Sequence, residues 1–158
     1  MNKSPYLKNH ERLADVIAAI QTMGTYKYYK LTFAKWSDRI SGDESNADCW
    51  KQVFLDHPEF FRLDSARERA SLVWRRQHQK RFNVDTESKI TKEEYFELND
   101  SEKKRISRNP LTSDEIATLV NTAIDLHSRA LEGEKDSRWW ITGAIGLIGV
   151  LLGALINA

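Results

Sequence analysis

The order of elements along this chain predicts a mainly α fold with a small β-hairpin, winged helix-turn-helix-like, followed by a helical extension and a single C-terminal transmembrane helix. Two observations carry the prediction. Three short helical stripes precede a pair of aromatic-rich runs flanking a polar turn, and the last twenty residues, Trp139 to Ala158, hold no ionisable side chain. The expected organisation is a winged-helix-like domain over 8–82, a charged linker and helical extension over 83–136, and a transmembrane helix over 139–158.

Each element has a local cause. Leu13, Val16, Ile17 and Ile20 recur at i, i+3, i+4 and i+7, a core-facing stripe for a helix over 8–23 that Gly24 can end in the left-handed conformation. The Tyr-rich stretch Thr25 to Lys30 reads as a short extended segment. A second helix follows Thr32, with Phe33, Trp36 and Ile40 on one face and Gly42 beyond its end. A third begins near Ser45 or Asn46, carries Trp50, Val53 and Phe54 inward, and must stop before Pro58, because the residue ahead of proline avoids helical geometry.

Glu59-Phe60-Phe61-Arg62-Leu63 and Ala70-Ser71-Leu72-Val73-Trp74-Arg75 flank the turn Asp64 to Arg69 and predict a β-hairpin. Beyond it, Thr91 with Glu94 and Thr112 with Glu115 carry capping-box spacing. A helical turn is expected to open at Ser101 and to be ended by Pro110. Ile116, Leu119, Val120, Ala123, Leu126 and Ala130 form a stripe for a helix over 113–132, and Gly133 is either a hinge or a tolerated glycine in one longer helix.

The final run spans about 30 Å as a helix, the thickness of a hydrocarbon core. Its nine Leu, Ile and Val residues favour insertion, and Arg138, Trp139 and Trp140 stand where an interfacial anchor belongs. On a helical wheel Thr142, Gly146, Gly149, Gly153 and Asn157 fall within an arc of about 80°, a small and polar seam that lets membrane helices approach closely. The expected localisation is the bacterial inner membrane, single-pass, with the N-terminal domain cytoplasmic and homo-oligomers formed through the anchor.

The phrases Met23-Gly24-Thr25-Tyr26-Lys27-Tyr28-Tyr29-Lys30, Asp56-His57-Pro58-Glu59-Phe60-Phe61-Arg62, Ser71-Leu72-Val73-Trp74-Arg75-Arg76 and Ser137-Arg138-Trp139-Trp140 resemble those of a group of uncharacterised bacterial tail-anchored membrane proteins with a winged-helix-like cytoplasmic domain. The resemblance implies a membrane location and transfers no functional residues.

Composition narrows the function. A net charge of +1 gives no global field toward nucleic acid or acidic lipid, so any preference must come from patches. The single Cys49 excludes an intrachain disulfide, fits a reducing compartment and reads as a buried, inert side chain. His10, His57, His78 and His127 are scattered without metal-ligand spacing and read as surface or capping residues. No phosphate loop, serine elbow or His-Glu-x-x-His motif is present, and the acidic pairs Glu93-Glu94 and Asp114-Glu115 are accounted for by helix N-termini. No catalytic residue, metal or cofactor is expected.

Between Arg62 and Arg81 seven cations, Arg62, Arg67, Arg69, Arg75, Arg76, Lys80 and Arg81, face two carboxylates, Asp64 and Glu68, for a local charge of +5. These are the candidate phosphate- or partner-binding residues. The third helix argues against DNA: Asp43, Glu44, Asp48 and Asp56 against Lys51 give −3 where a recognition helix would meet phosphates. A second basic cluster, Lys103, Lys104, Arg105 and Arg108, reads as a solvated face or a headgroup contact. The expected protein is therefore a non-enzymatic, tail-anchored interaction module with an unknown protein partner. Its alternatives are a membrane-tethered nucleic-acid-binding regulator, which the third helix disfavours, and a small membrane-perturbing effector.

Overall fold

The computed structural model describes the backbone of residues 4–156 and the side chains of residues 4–135. The chain is mainly helical with small antiparallel sheets. After a 3₁₀ turn at Pro5–Leu7, the order is α1 (Arg12–Thr25), β1 (Lys30–Thr32), α2 (Phe33–Ser41), α3 (Ala47–Asp56), β2 (Phe61–Leu63) and β3 (Arg69–Leu72). There follow β4 (Phe82–Asn83), β5 (Ser88–Lys89), α4 (Lys92–Glu97), α5 (Asp100–Lys103), β6 (Ile106–Ser107) and α6 (Ser113–Ile156).

The helix boundaries have local reasons. Gly42 ends α2 at φ 75°, in the left-handed region, and its N–H donates to Asp38 O at 2.8 Å. Asp43 accepts from the Ser45 amide at 2.8 Å and opens a 3₁₀ turn, Glu44–Asn46, that feeds α3. α3 ends at Asp56, with His57 outside it ahead of Pro58. Asn99 caps α5 with Glu102 in a reciprocal capping box, so this helix starts one residue earlier than the Ser101 expected from sequence. Gly24 is not a C-terminal cap. It lies inside α1, where an added Cβ would come within 3.2 Å of Ile116 Cγ1, so the glycine sets the close approach of α1 to α6.

The first sheet has the order β1-β3-β2, all antiparallel. Register places Leu31 opposite Ala70 and Leu63 opposite Ala70, with Phe61 opposite Leu72. One face of the sheet is therefore apolar. It closes on a core of Val16, Ile20, Met23, Trp36, Val53, Phe54 and Phe61, all essentially inaccessible. Trp36 stays buried because its indole N–H donates to Ala70 O at 2.9 Å, tying α2 to the central strand. Leu119 and Ala123 of α6 complete this core.

A second three-stranded sheet, order β5-β4-β6, lies in the stretch expected to be a charged linker. Its strands have two residues each, too short to show alternation.

Arg75 joins these parts. It is fully buried in the 3₁₀ turn Trp74–Gln77 and has no carboxylate partner among the described residues. Its guanidinium donates to Met23 O (2.9 Å), Tyr26 O, Lys27 O (3.2 Å), Arg108 O (3.0 Å) and Asn109 O (3.2 Å). Leu111 N–H adds a bond to Gly24 O at 2.9 Å, so the last carbonyls of α1 are met from the chain beyond β6.

α6 runs unbroken through Gly133, which has open space around it, for 44 residues or about 66 Å. Gly133 is thus a tolerated helical glycine and not a hinge. Among the described residues no helix is long and apolar enough to cross a membrane. The side chains of the segment read as transmembrane, 139–158, lie outside the described residues. So do those of Arg138, Trp139 and Trp140 and of the seam Thr142, Gly146, Gly149, Gly153 and Asn157.

Arg75→Met removes every donor of this junction and leaves buried carbonyls unmet. It is expected to lower stability by about 3 kcal/mol or more, read as the urea midpoint of tryptophan fluorescence on the full chain in detergent. Arg75→Lys, which keeps the charge and loses the fork, should lose most of the same stability.

Candidate anion-binding cleft

The face of the first sheet turned away from the core is polar and cationic. Lys30 pairs with Ser71, and Thr32 with Arg69, so Lys30 and Arg69 are diagonal neighbours on one face; Arg62, opposite Ser71, extends the row. Tyr29 N–H donates to Ser107 Oγ at 3.1 Å, drawing the second sheet against this edge. Between the two sheets lies a cleft of about 230 Å³ lined by Tyr28, Tyr29, Lys30, Arg69, Lys80, Val84, Lys104, Ile106 and Ser107. Its lining holds four cations and no carboxylate.

The missing carboxylate is a local feature. Two nearby-numbered cations outside the lining are matched: Lys27 with Glu87 at 3.2 Å, and Arg105 Nε with Asp85 Oδ2 at 2.9 Å. Asp64, in the hairpin turn and outside the lining, feels the charges of Lys30 and Arg69. Burial pushes its carboxyl up, but backbone N–H bonds from Glu68 and Arg69 and the charges of Lys30 and Arg69 outweigh this, so it is held below the usual carboxylate range. One ionised carboxylate therefore acts on two of the four cations.

The sequence-predicted cations divide. Arg62, Arg67, Arg69, Arg76 and Lys80 are exposed and Arg81 is partly so. Arg67 sits in the turn with φ 57°, and only Arg69 and Lys80 reach the cleft. Arg75 must be withdrawn as a phosphate or partner ligand: it is buried and its donors are engaged by backbone carbonyls. Burial pushes its guanidinium down to about 10, which leaves it charged at neutral pH. The second basic cluster also divides. Arg105 pairs with Asp85 and lies over the Tyr28 ring at 5.8 Å, Arg108 donates to His78 O and lies over Tyr29 at 5.3 Å, and Lys103 lies over Tyr95 at 6.0 Å. Lys104 alone of this cluster lines the cleft. Sequence reasoning missed Tyr28, Tyr29, Lys30 and Ser107 as cleft residues, because only the β1–β3 register and the second sheet bring them together.

Other candidates also move. Cys49 is exposed on α3, against the buried reading. His57 is fully buried, with Nδ1 at 3.0 Å from Glu59 Oε1 and its ring 4.4 Å from that of Tyr6, so it is a core residue and not a surface one. Burial raises the Glu59 carboxyl, but hydrogen bonds from His57, its own amide and Tyr6 outweigh this and hold it below its ordinary value. His78 Nε2 meets Glu115 Oε1 at 3.0 Å. Among the described residues no group of three or more His, Cys, Asp or Glu side chains could hold a metal ion. On α3, Asp56 is engaged by Lys8 at 2.8 Å and Arg12 at 3.6 Å, so the exposed charges of that helix are Asp48 and Lys51.

Compared with protein-family models, curated proteins and solved structures, the chain finds no match in any of the three.

The depressed Asp64 carboxyl gives a signed pH dependence. What it contributes to the turn is complete above its ordinary value near 3.8 and is lost as pH falls through the lowered one. The stability gap between wild type and Asp64→Asn, read as urea midpoints, should therefore be widest near neutrality and close below about pH 4.

Proposed function

We propose that this chain is a non-enzymatic, membrane-tethered docking module. In this reading a cytoplasmic winged-helix-like domain is held at the bacterial inner membrane by residues 139–158 and offers its cationic face to an acidic segment of a partner protein. The observation that carries the proposal is the cleft itself: Lys30, Arg69, Lys80 and Lys104 line it without a carboxylate among them. An anionic ligand would relieve the repulsion among the like charges gathered there.

The winged-helix-like assignment is supported by the order α1-β1-α2-α3-β2-β3 and by β1 joining the hairpin as its third strand. Tethering is supported by the charge-free run Trp139–Ala158 and by the backbone of α6, which continues from the domain to Ile156. Self-association along the seam Thr142, Gly146, Gly149, Gly153 and Asn157 has a further support. Ile124 and Leu131, 41% and 40% exposed, stand two turns apart on one side of α6.

A second reading, a nucleic-acid-binding regulator, is favoured by Arg62, Arg67 and Arg76, which are exposed and enter no ion pair among the described residues. α3 opposes it. Its exposed face and the turn before it present Asp48 and Glu44 with Lys51 alone in return, and Glu44 is exposed as well.

Two measurements test these proposals. Titration of the full chain in detergent with a poly-glutamate peptide and with duplex DNA, from about 50 to 200 mM salt, should give peptide binding and little duplex binding. Duplex affinity falling by about 10³ or more over that range would transfer the function to nucleic acid. Gly149→Leu combined with Gly153→Leu is expected to leave membrane insertion intact and abolish crosslinked dimer; unchanged crosslinking would reduce the segment to a passive tether.

A further inference from the structure

We propose that the anion recognised in the cleft is a phosphoryl group on a side chain of the partner protein, an inference that rests on the docking reading above. Charge is the first argument. A phosphorylated side chain carries about −1.5 to −2 at neutral pH and three strong acceptor oxygens, whereas a carboxylate carries a single charge. Four lining cations, with Asp64 acting on Lys30 and Arg69 from outside the lining, suit the larger charge.

The second argument is the kind of cation. Three of the four are lysines, point charges suited to a compact anion, and Arg69 is the single planar fork. They come from β1, the start of β3, the segment before β4 and the turn before β6, so four separate stretches of chain each supply one cation to the lining.

Ser107 is the third. Its side chain is 4% exposed, and its Oγ already accepts from Tyr29 N–H at 3.1 Å, while its own hydroxyl proton goes to no acceptor among the described residues. A buried donor with its proton unspent at the wall of a cationic cleft suits an oxyanion.

Size and aromatic geometry argue against a nucleotide. At about 230 Å³ the cleft falls below the roughly 300–1,000 Å³ of pockets that hold small molecules. Tyr28 and Tyr29 each already have a guanidinium over the ring, Arg105 and Arg108, which disfavours stacking a base on them.

The test uses the full chain in phosphatidylcholine nanodiscs free of detergent and isothermal titration calorimetry with four probes. These are a short Gly/Ser peptide with one phosphoserine, the same peptide with glutamate in its place, inorganic phosphate, and vesicles containing phosphatidic acid. Phosphopeptide binding at least about tenfold tighter than the glutamate peptide is expected. Lys80→Gln with Lys104→Gln, both exposed positions, should remove that preference, while Lys89→Gln with Lys92→Gln, an equal loss of charge elsewhere, should keep it. Near-ultraviolet circular dichroism establishes that the variants fold. Equal binding of the phosphoserine and glutamate peptides, lost in the cleft variant, overturns the phosphoryl inference and leaves the docking proposal standing. Binding of neither peptide overturns both. Binding of vesicles, or of inorganic phosphate as tightly as the phosphopeptide, overturns the protein-borne source.

Discussion

The buried guanidinium of Arg75 is the constraint on which the rest of the molecule depends. A charge without a counter-ion in a protein interior carries a desolvation cost of several kcal/mol, and only hydrogen bonds to the charged form can offset it. Arg75 finds them in backbone carbonyls: those of Met23, Tyr26 and Lys27 on one side, and Arg108 and Asn109 on the other. The first of these belongs to the C-terminal turn of α1, where the helix dipole also favours a cation. One side chain thereby decides where α1 stops, how the Tyr-rich segment enters β1, and where the chain leaving β6 returns to the core. Leu111 then follows onto Gly24 O and α6 docks beside α1, at a separation that Gly24 permits.

The cleft follows from that junction. The Tyr28–Lys30 segment is held against the second sheet, so the outer face of the first sheet is not open to water on all sides. It becomes one wall of a space whose other wall carries Lys104 and Ser107. Several cations elsewhere are paired. Asp85 holds Arg105, Glu87 holds Lys27, and Asp56 holds Lys8 and Arg12. The four cations of the cleft have no carboxylate beside them in its lining.

α6 links the domain to the apolar run. Its first turns complete the core through Leu119 and Ala123, and Thr112 with Glu115 caps its start. Hydrogen bonds from Thr112 outweigh the small desolvation cost and hold the Glu115 carboxyl below its ordinary value, with the contact to His78 adding to the effect.

The local elements were legible from the sequence alone. α2 between Thr32 and Gly42, the end of α3 before Pro58, the hairpin β2–β3 and the capped starts of α4 and α6 all rest on signals within a few residues, where sequence distance and spatial distance coincide. Tertiary structure decided what depends on partners far along the chain. Gly24 changed from a helix cap to a contact because Ile116 lies against it. His57 is packed inside against the ring of the distant Tyr6. Arg75, one of seven similar cations in sequence, was singled out by carbonyls between 33 and 52 positions away. The cleft was hidden for the same reason: strands of two or three residues carry no periodicity, so nothing local indicates that residues 30, 69, 80 and 104 share one space.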